Sequence, residues 1–277
     1  FKLREHLERL YTSIRYARIP LEMTIDEMEE AVYKTIEINK HCFEDYDEDR
    51  IMINVSRGLI PIYEGKVGTP PGPNVIIANY PLRWTIQNLS HLYDTGINLV
   101  LVPQRAIPAH LLEPKIKNRS RIHYQMANIQ ASLYEGKDNW AMLIDPDGFI
   151  AEGTGDNIFI VKDGVVITPE GRNILRGISR DYVFEVCSQL GIECVEKNIE
   201  PYDLMTADEC FVTATPFCVL PVMRYNGKDV GNGKYGKITK QILSQWSENV
   251  GLDIEKQARY YNAIFTGEDK SPYQLKF

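Results

Sequence analysis

The sequence predicts an α+β fold in two domains, and three observations lead there. The chain has 277 residues, more than one ordinary core serves, and about two domains is the usual division at that size. Its opening part reads as two helices followed by short β-rich runs. A proline-bearing stretch then precedes a meander of short strands with tight turns and three further helices, a segregated rather than alternating order.

The elements follow in sequence. LREHLERLYTSIRYARI is amphipathic and predicts a first helix. Because the chain opens at Phe1 without an initiator Met, further residues are expected upstream. TIDE (24–27) is a capping box, and Met28, Ala31, Val32 and Ile36 follow it at helical spacing, so a second helix begins there. IMINVS (51–56), VIIANY (75–80) and INLVLV (97–102) are β-rich runs bounded by segments such as GTPPGP (68–73). Residues 1–102 are therefore expected to form a small N-terminal domain. PQRAIPAHLLEPK (103–115) carries three prolines and little period, which predicts an inter-domain loop.

Residues 116–277 are expected to form the larger domain, with a mixed, barrel-like sheet, helices and a C-terminal tail. RIHYQMANIQASLYEG predicts a helix ending near Gly136, and AMLID, FIAEGT, NIFIVKDG and VVITP predict strands with DG turns. ISRDYVFEVCSQL (178–190) predicts a helix stopped by Gly191. ECFVTAT and VLPV are further strands, and YGKITKQILSQWSENV is a late helix.

Composition excludes several function classes. A net charge of -7 and a pI near 5.4 argue against nucleic-acid or membrane-surface binding, because neither polyanion would attract the chain at long range. The five cysteines include no CxxC pair and fit reduced thiols in the cytoplasm. The five histidines are scattered without HExxH spacing, so no metal is expected. No run approaches the roughly twenty apolar residues that cross a bilayer, and no signal peptide is recognisable.

Against that acidic background, EPKIKNRSRIHYQMA (113–127) sets Lys115, Lys117, Arg119 and Arg121 at every second residue. Lys117 alone reads as a solvated lysine. EGTGDN (152–157) places a carboxylate on a glycine-rich turn between strands, and alone is a turn. In ILRGISRD (174–181), Gly177 leads into a helix start whose free amides, with the Ser179 hydroxyl, can hold a phosphate; alone it is a helix cap. Together they supply an amine nucleophile, an acid and an anion cradle. An aldehyde cofactor bearing a phosphate and a basic ring nitrogen needs that set.

The order of HLERLYTS, RIMINVSRG, KIKNRSRIHYQMANIQA, GFIAEGTGDNIFIVKDGVVITP, NILRGISRDYV and ECFVTATPFCVLPV resembles the fold-type IV (class IV) pyridoxal-phosphate-dependent aminotransferases, the branched-chain and D-amino-acid aminotransferase family. The resemblance implies pyridoxal 5'-phosphate as cofactor and a ping-pong transfer between an amino donor and a 2-oxo acid. It implies that Lys117 carries the cofactor and shuttles the proton, that Glu152 faces the pyridine nitrogen, and that Arg9 pairs with the phosphate. Ile178 by its amide, Ser179 and Thr215 would complete the phosphate cup, and Leu175 would press on the ring. A homodimer is implied, with a neighbouring subunit helping to close the site. So is a strand pair ahead of the first helix.

The chain departs from the family at several points. Asn118, Arg119, Ser120 and Arg121 follow the lysine, where the family has small or neutral residues; one of the two arginines is expected to meet an anionic group. Pro216 has no N–H for a substrate carboxylate. Arg50 aligns with an arginine near the substrate pocket of the branched-chain enzymes, whereas LIPIYEG replaces the D-amino-acid carboxylate trap. Tyr63 and Phe217 are candidates for an apolar pocket wall or for the core. A branched-chain-type donor is the first expectation. D-amino-acid or (R)-amine transaminase, aminodeoxychorismate lyase and a non-enzymatic nucleic-acid-binding protein are the alternatives.

Overall fold

The computed structural model describes residues 1–59, 62 and 72–264. Tyr63, most of LIPIYEG and the start of GTPPGP lie outside them. The chain forms two compact units, the first from Phe1–Leu82 with Pro108–Arg121, the second from Arg83–Ile107 with the residues from Ile122 onward.

The first unit opens with α1 (Leu3–Tyr16), which buries Leu7 and Ile14, two turns apart. The Tyr11 hydroxyl donates to the Met23 carbonyl at 2.7 Å and so fixes the entry to α2 (Ile25–Asn39). The predicted capping box is formed. Glu27 N–H donates to Thr24 Oγ1 at 3.2 Å, and Thr24 N–H donates back to Glu27 Oε2 at 2.7 Å. The Thr24 amide and hydroxyl, both donating to the Glu27 carboxylate, hold it below the usual range. β1 (Asp49–Ser56) and β2 (Asn74–Pro81) make an antiparallel pair with Ile53 opposite Ile77.

The second unit begins with two single-turn helices, α3 (Arg83–Ile86) and α4 (Leu92–Thr95), and then β3 (Ile97–Arg105). After α5 (Ile122–Ser132) come β4 (Asn139–Ile144), β5 (Ile150–Gly153), β6 (Asn157–Lys162) and β7 (Val165–Thr168). α6 (Ile178–Leu190), β8 (Cys194–Glu196), α7 (Pro201–Met205), β9 (Glu209–Ala214), β10 (Cys218–Tyr225) and β11 (Lys228–Asp229) follow, and α8 (Lys237–Val250) and α9 (Ile254–Ala263) end the described chain. The strands form one mixed nine-stranded sheet in the order β5-β4-β3-β10-β9-β6-β7-β8, with β11 on β10. β3 is parallel to both its neighbours.

β3 explains why the units divide differently from the expected 1–102, 103–115 and 116–277. INLVLV is buried nearly throughout, and its partners in β4 and β10 lie far along the chain, so it is a central strand of the second unit. Residues 108–121, expected to link the domains and to start the larger one, belong to the first unit. α5 packs Ala127 and Ala131 against Val100, Val102, Ala141 and Leu143. Two alanines let the helix axis come close to the sheet.

One helix end was legible in advance. Gly191 ends α6 at φ 67, where any side chain would be strained, and its N–H satisfies the Cys187 and Ser188 carbonyls. α8 starts after Gly236 without a cap of its own. There the Glu209 carboxylate of β9 accepts from the Ile238 and Thr239 amides at 2.9 and 2.8 Å. α9 and β8 were not predicted, since neither is marked by a long apolar period.

Candidate active site

In the second unit, Glu152 lies within β5 rather than on the turn, and its side chain is turned into the protein at 6% exposure. Three neutral donors reach it. Tyr124, in the first turn of α5, donates from its hydroxyl to Oε1 at 2.8 Å, and the Leu175 amide donates to Oε2 at 2.9 Å. The Asn157 amide lies 3.5 Å from Oε2 and donates more closely, at 3.0 Å, to the Leu175 carbonyl. Such bonds compensate for removing a carboxylate's charge from water.

Asn157 also governs the neighbouring helix start. A Cβ at position 177 would come 2.3 Å from Asn157 Oδ1, so Gly177 is the residue the space permits. Gly177 is the N-cap of α6 and, having no side chain, gives no cap hydrogen bond. The first amides of this 13-residue helix, Ile178 and Ser179 among them, therefore open towards an anion. Ser179 is buried. Arg180 turns away from the opening: its Nη2 donates to the Pro169 carbonyl at 2.9 Å and pairs with Glu196.

Thr215, Pro216 and Phe217 make the turn from β9 to β10. Thr215 is exposed, whereas Phe217 is buried and meets Trp140 edge-on at 5.7 Å. Tyr93, itself buried, donates to the Phe217 carbonyl at 3.0 Å. Phe217 thus takes the core position that the sequence left open. One residue before the turn's flank, Thr213 Oγ1 is buried without a hydrogen-bond partner among the described residues.

The first unit holds the cationic residues. On α1, His6 and Arg9 face one another, with Arg9 Nη2 3.4 Å from His6 Nδ1. Burial pushes the His6 imidazole down to about 4, helped by the positive charges of Arg9 and Lys117. His6 is therefore neutral at pH 7 and its free nitrogen can accept from Arg9. Lys117 is exposed in the segment that precedes α5. Lys115 is paired with Glu113 at 2.5 Å. Arg119 Nε donates to Asn54 Oδ1 at 2.6 Å, a neutral partner on β1. Arg50, half-buried, sits on the same face of β1 as Asn54 and lies opposite Tyr80. Arg121 is the last residue of the unit.

These donors fit a phosphorylated pyridine aldehyde. The open helix start suits a phosphate dianion, and a buried carboxylate nearby that accepts from neutral donors suits a protonated ring nitrogen. Sequence reasoning singled out Glu152, Leu175 and Gly177, which the structure gathers around Asn157, and Ser179 in the first turn of α6. It missed His6, Tyr124 and Asn157. Their signal was faint: a tyrosine on an inward helix position, and the asparagine that ends EGTGDN.

Residues 1–225 match the amino-transferase class IV family, and the chain belongs to it. A provisionally named branched-chain-amino-acid aminotransferase of Methanocaldococcus jannaschii is 36% identical over 251 residues, covering 90% of this chain and 82% of that protein. The branched-chain-amino-acid aminotransferase of Escherichia coli K12 is 31% identical over 252 residues, covering 87% and 76%. Among solved structures, the Escherichia coli branched-chain amino acid aminotransferase superimposes with a TM-score of 0.78 at 27% identity, over 99% of this chain and 83% of that one. The Thermobaculum terrenum enzyme in its pyridoxal-phosphate form gives 0.77 at 27% identity, over 95% and 81%. The chain is a pyridoxal-phosphate-dependent aminotransferase. None of these relatives favours the lyase, D-amino-acid, (R)-amine or nucleic-acid alternatives. Among the described residues, no helix is long and apolar enough to cross a membrane.

Proposed function

We propose that the enzyme moves amino groups between a branched-chain-type amino acid and a 2-oxo acid, with Lys117 as the covalent anchor of the cofactor and the carrier of the substrate proton. The observation that carries the reading is the Glu152 carboxylate held by Tyr124, Leu175 and Asn157 next to an uncapped helix start. When bound, pyridoxal phosphate supplies an aldehyde carbon and an electron-withdrawing ring that make the Cα–H bond of an amino acid acidic.

The chain's residues do the rest. Glu152 keeps a proton on the ring nitrogen. Ile178 and Ser179 offer N–H and O–H donors to the phosphate, with Thr215 and the guanidinium of Arg9 as further partners. Neutral His6 orients Arg9 for that task. Leu175 would press its side chain on the ring, with its amide on Glu152. Lys117 Nζ takes the proton from Cα and returns it on the far side of the transfer. Arg121, Arg119 and Arg50 are the candidates for an anionic substrate group, and Arg119 Nε also donates to Asn54. Pro216 gives no N–H, so the substrate carboxylate is held elsewhere.

Substrate tests separate the readings. The purified protein with pyridoxal phosphate should show a visible absorption band that borohydride abolishes. It should transfer amino groups from L-leucine, L-isoleucine or L-valine to 2-oxoglutarate faster than from D-alanine or an (R)-arylamine. A protein that stays colourless with added cofactor, or that prefers D-alanine, would overturn the assignment.

A homodimer is part of the same proposal, and α5 supports it. Its inner face is the small pair Ala127 and Ala131, while Ile122, Met126, Ile129 and the following Leu133 form an outer apolar stripe, with Ile122 71% and Leu133 80% exposed. Large side chains outside and alanines inside reverse the usual pattern and call for a second copy of the helix or its surroundings. Leu133→Asp should shift sedimentation towards the monomer with little loss of monomer stability; an unchanged dimer would exclude this face. Five free cysteines support a cytoplasmic site of action.

A further inference from the structure

β6 begins at Asn157, whose register partner is Thr213 on β9. Two residues further along the same face, Phe159 stacks on Phe211 with ring centroids 4.9 Å apart, so this end of β6 is anchored in the core. The Gly153 amide donates to the Asp156 carbonyl at 3.1 Å and closes the turn from β5. The Asn157 side chain is therefore a fixed point, 5% exposed, set between Glu152 and the start of α6.

Its carboxamide is used on both edges. Nδ2 faces two acceptors, the Leu175 carbonyl at 3.0 Å and Glu152 Oε2 at 3.5 Å, and the Leu175 amide in turn donates to the same Oε2 at 2.9 Å. Oδ1 is turned to Gly177, close enough that a Cβ there would lie 2.3 Å from it. The nitrogen belongs on the side of the two acceptors, so the two edges cannot be exchanged.

We propose that Asn157 is a positioning residue that sets the two ends of the cofactor site at one fixed separation, the Glu152 carboxylate for the ring nitrogen at one end and the start of α6 for the phosphate at the other. The role rests on the assignment of those two ends made above. A pyridine ring and its phosphate arm have nearly fixed length, so a carboxylate and a helix start that drift independently cannot both stay in register with them. Leu175 and Gly177 are two residues apart, and one side chain meets both. Its nitrogen pins Leu175 and, through the Leu175 amide, Glu152, while its oxygen packs where only glycine leaves room. An aspartate at 157 would keep the shape but turn an oxygen towards two acceptors, one of them charged.

The test is a double-substitution cycle on the enzyme reconstituted with pyridoxal phosphate, read by the phosphorus NMR resonance of the bound cofactor for the phosphate end and by its visible absorption band for the ring end. Asn157→Ala should move both signals and weaken cofactor retention roughly tenfold, the scale of one lost hydrogen bond to a charged group. In Gly177→Ala the new methyl group meets Asn157 Oδ1 first, and both signals should move as well. The doubly substituted protein has room for both methyl groups, and its losses should not exceed those of the larger single. Additive losses, or a Gly177→Ala protein whose absorption band stays in place, would overturn the coupling. Should Asn157→Ala fail to fold, the Gly177→Ala band decides alone. Glu152→Gln and Ser179→Ala are the controls, each expected to move the signal of its own end. A control that moves nothing overturns the assignment of that end, and the coupling with it.

Discussion

Lys117→Ala is expected to remove the cofactor's covalent link and to lower amino transfer by roughly 10⁴-fold, the upper part of the range for a lost general base. The lysine is exposed ahead of α5, so the folded state should lose no more than about 0.5 kcal/mol. Loss of turnover with an unchanged melting temperature then reports chemistry and not unfolding. Lys117→Arg is the companion variant, because it keeps a positive charge but cannot release a proton near neutral pH. Both variants should lack borohydride-dependent labelling of the peptide carrying position 117. Single-turnover rates above a thousandth of the parent's in either one would show that another amine does the work.

Glu152→Gln is expected to lower kcat by about 10²–10³-fold, the scale seen when one preorganised electrostatic partner is removed. Gln fills the same space but has no charge to hold a proton on the ring nitrogen. Its amide would also set a donor against the Tyr124 hydroxyl or the Leu175 amide, both of which donate to Glu152. Tyr124→Phe separates these effects. It leaves the carboxylate, its charge and the Leu175 bond in place, and a single hydrogen bond to a charged group accounts for roughly a tenfold loss at this site. The expected order is therefore parent, then Tyr124→Phe, then Glu152→Gln, with the absorption band of bound cofactor displaced most in the last. A Glu152→Gln enzyme within tenfold of the parent would remove Glu152 from the ring nitrogen.

Much of the fold was written locally. The TIDE capping box, the stop at Gly191 and the strands with DG turns depend on bonds between residues a few positions apart, and the structure forms them. Glu152, Leu175 and Ser179 were legible for a related reason, since glycine-rich stretches beside strands and helix starts restrict what a backbone can do. By contrast, no window of sequence showed that INLVLV pairs with β4 and β10, or that residues 108–121 belong with the first unit.

The same division runs through the site. The sequence by itself determined the helix and strand starts, the order of motifs and the residue types able to serve a phosphate and a ring nitrogen. Tertiary structure decided that Tyr124, Asn157 and Leu175 converge on Glu152 and that Phe217 packs on Trp140. Periodicity and capping act over a few residues, whereas these contacts join side chains whose separation along the chain is closed only when the sheet and its helices pack.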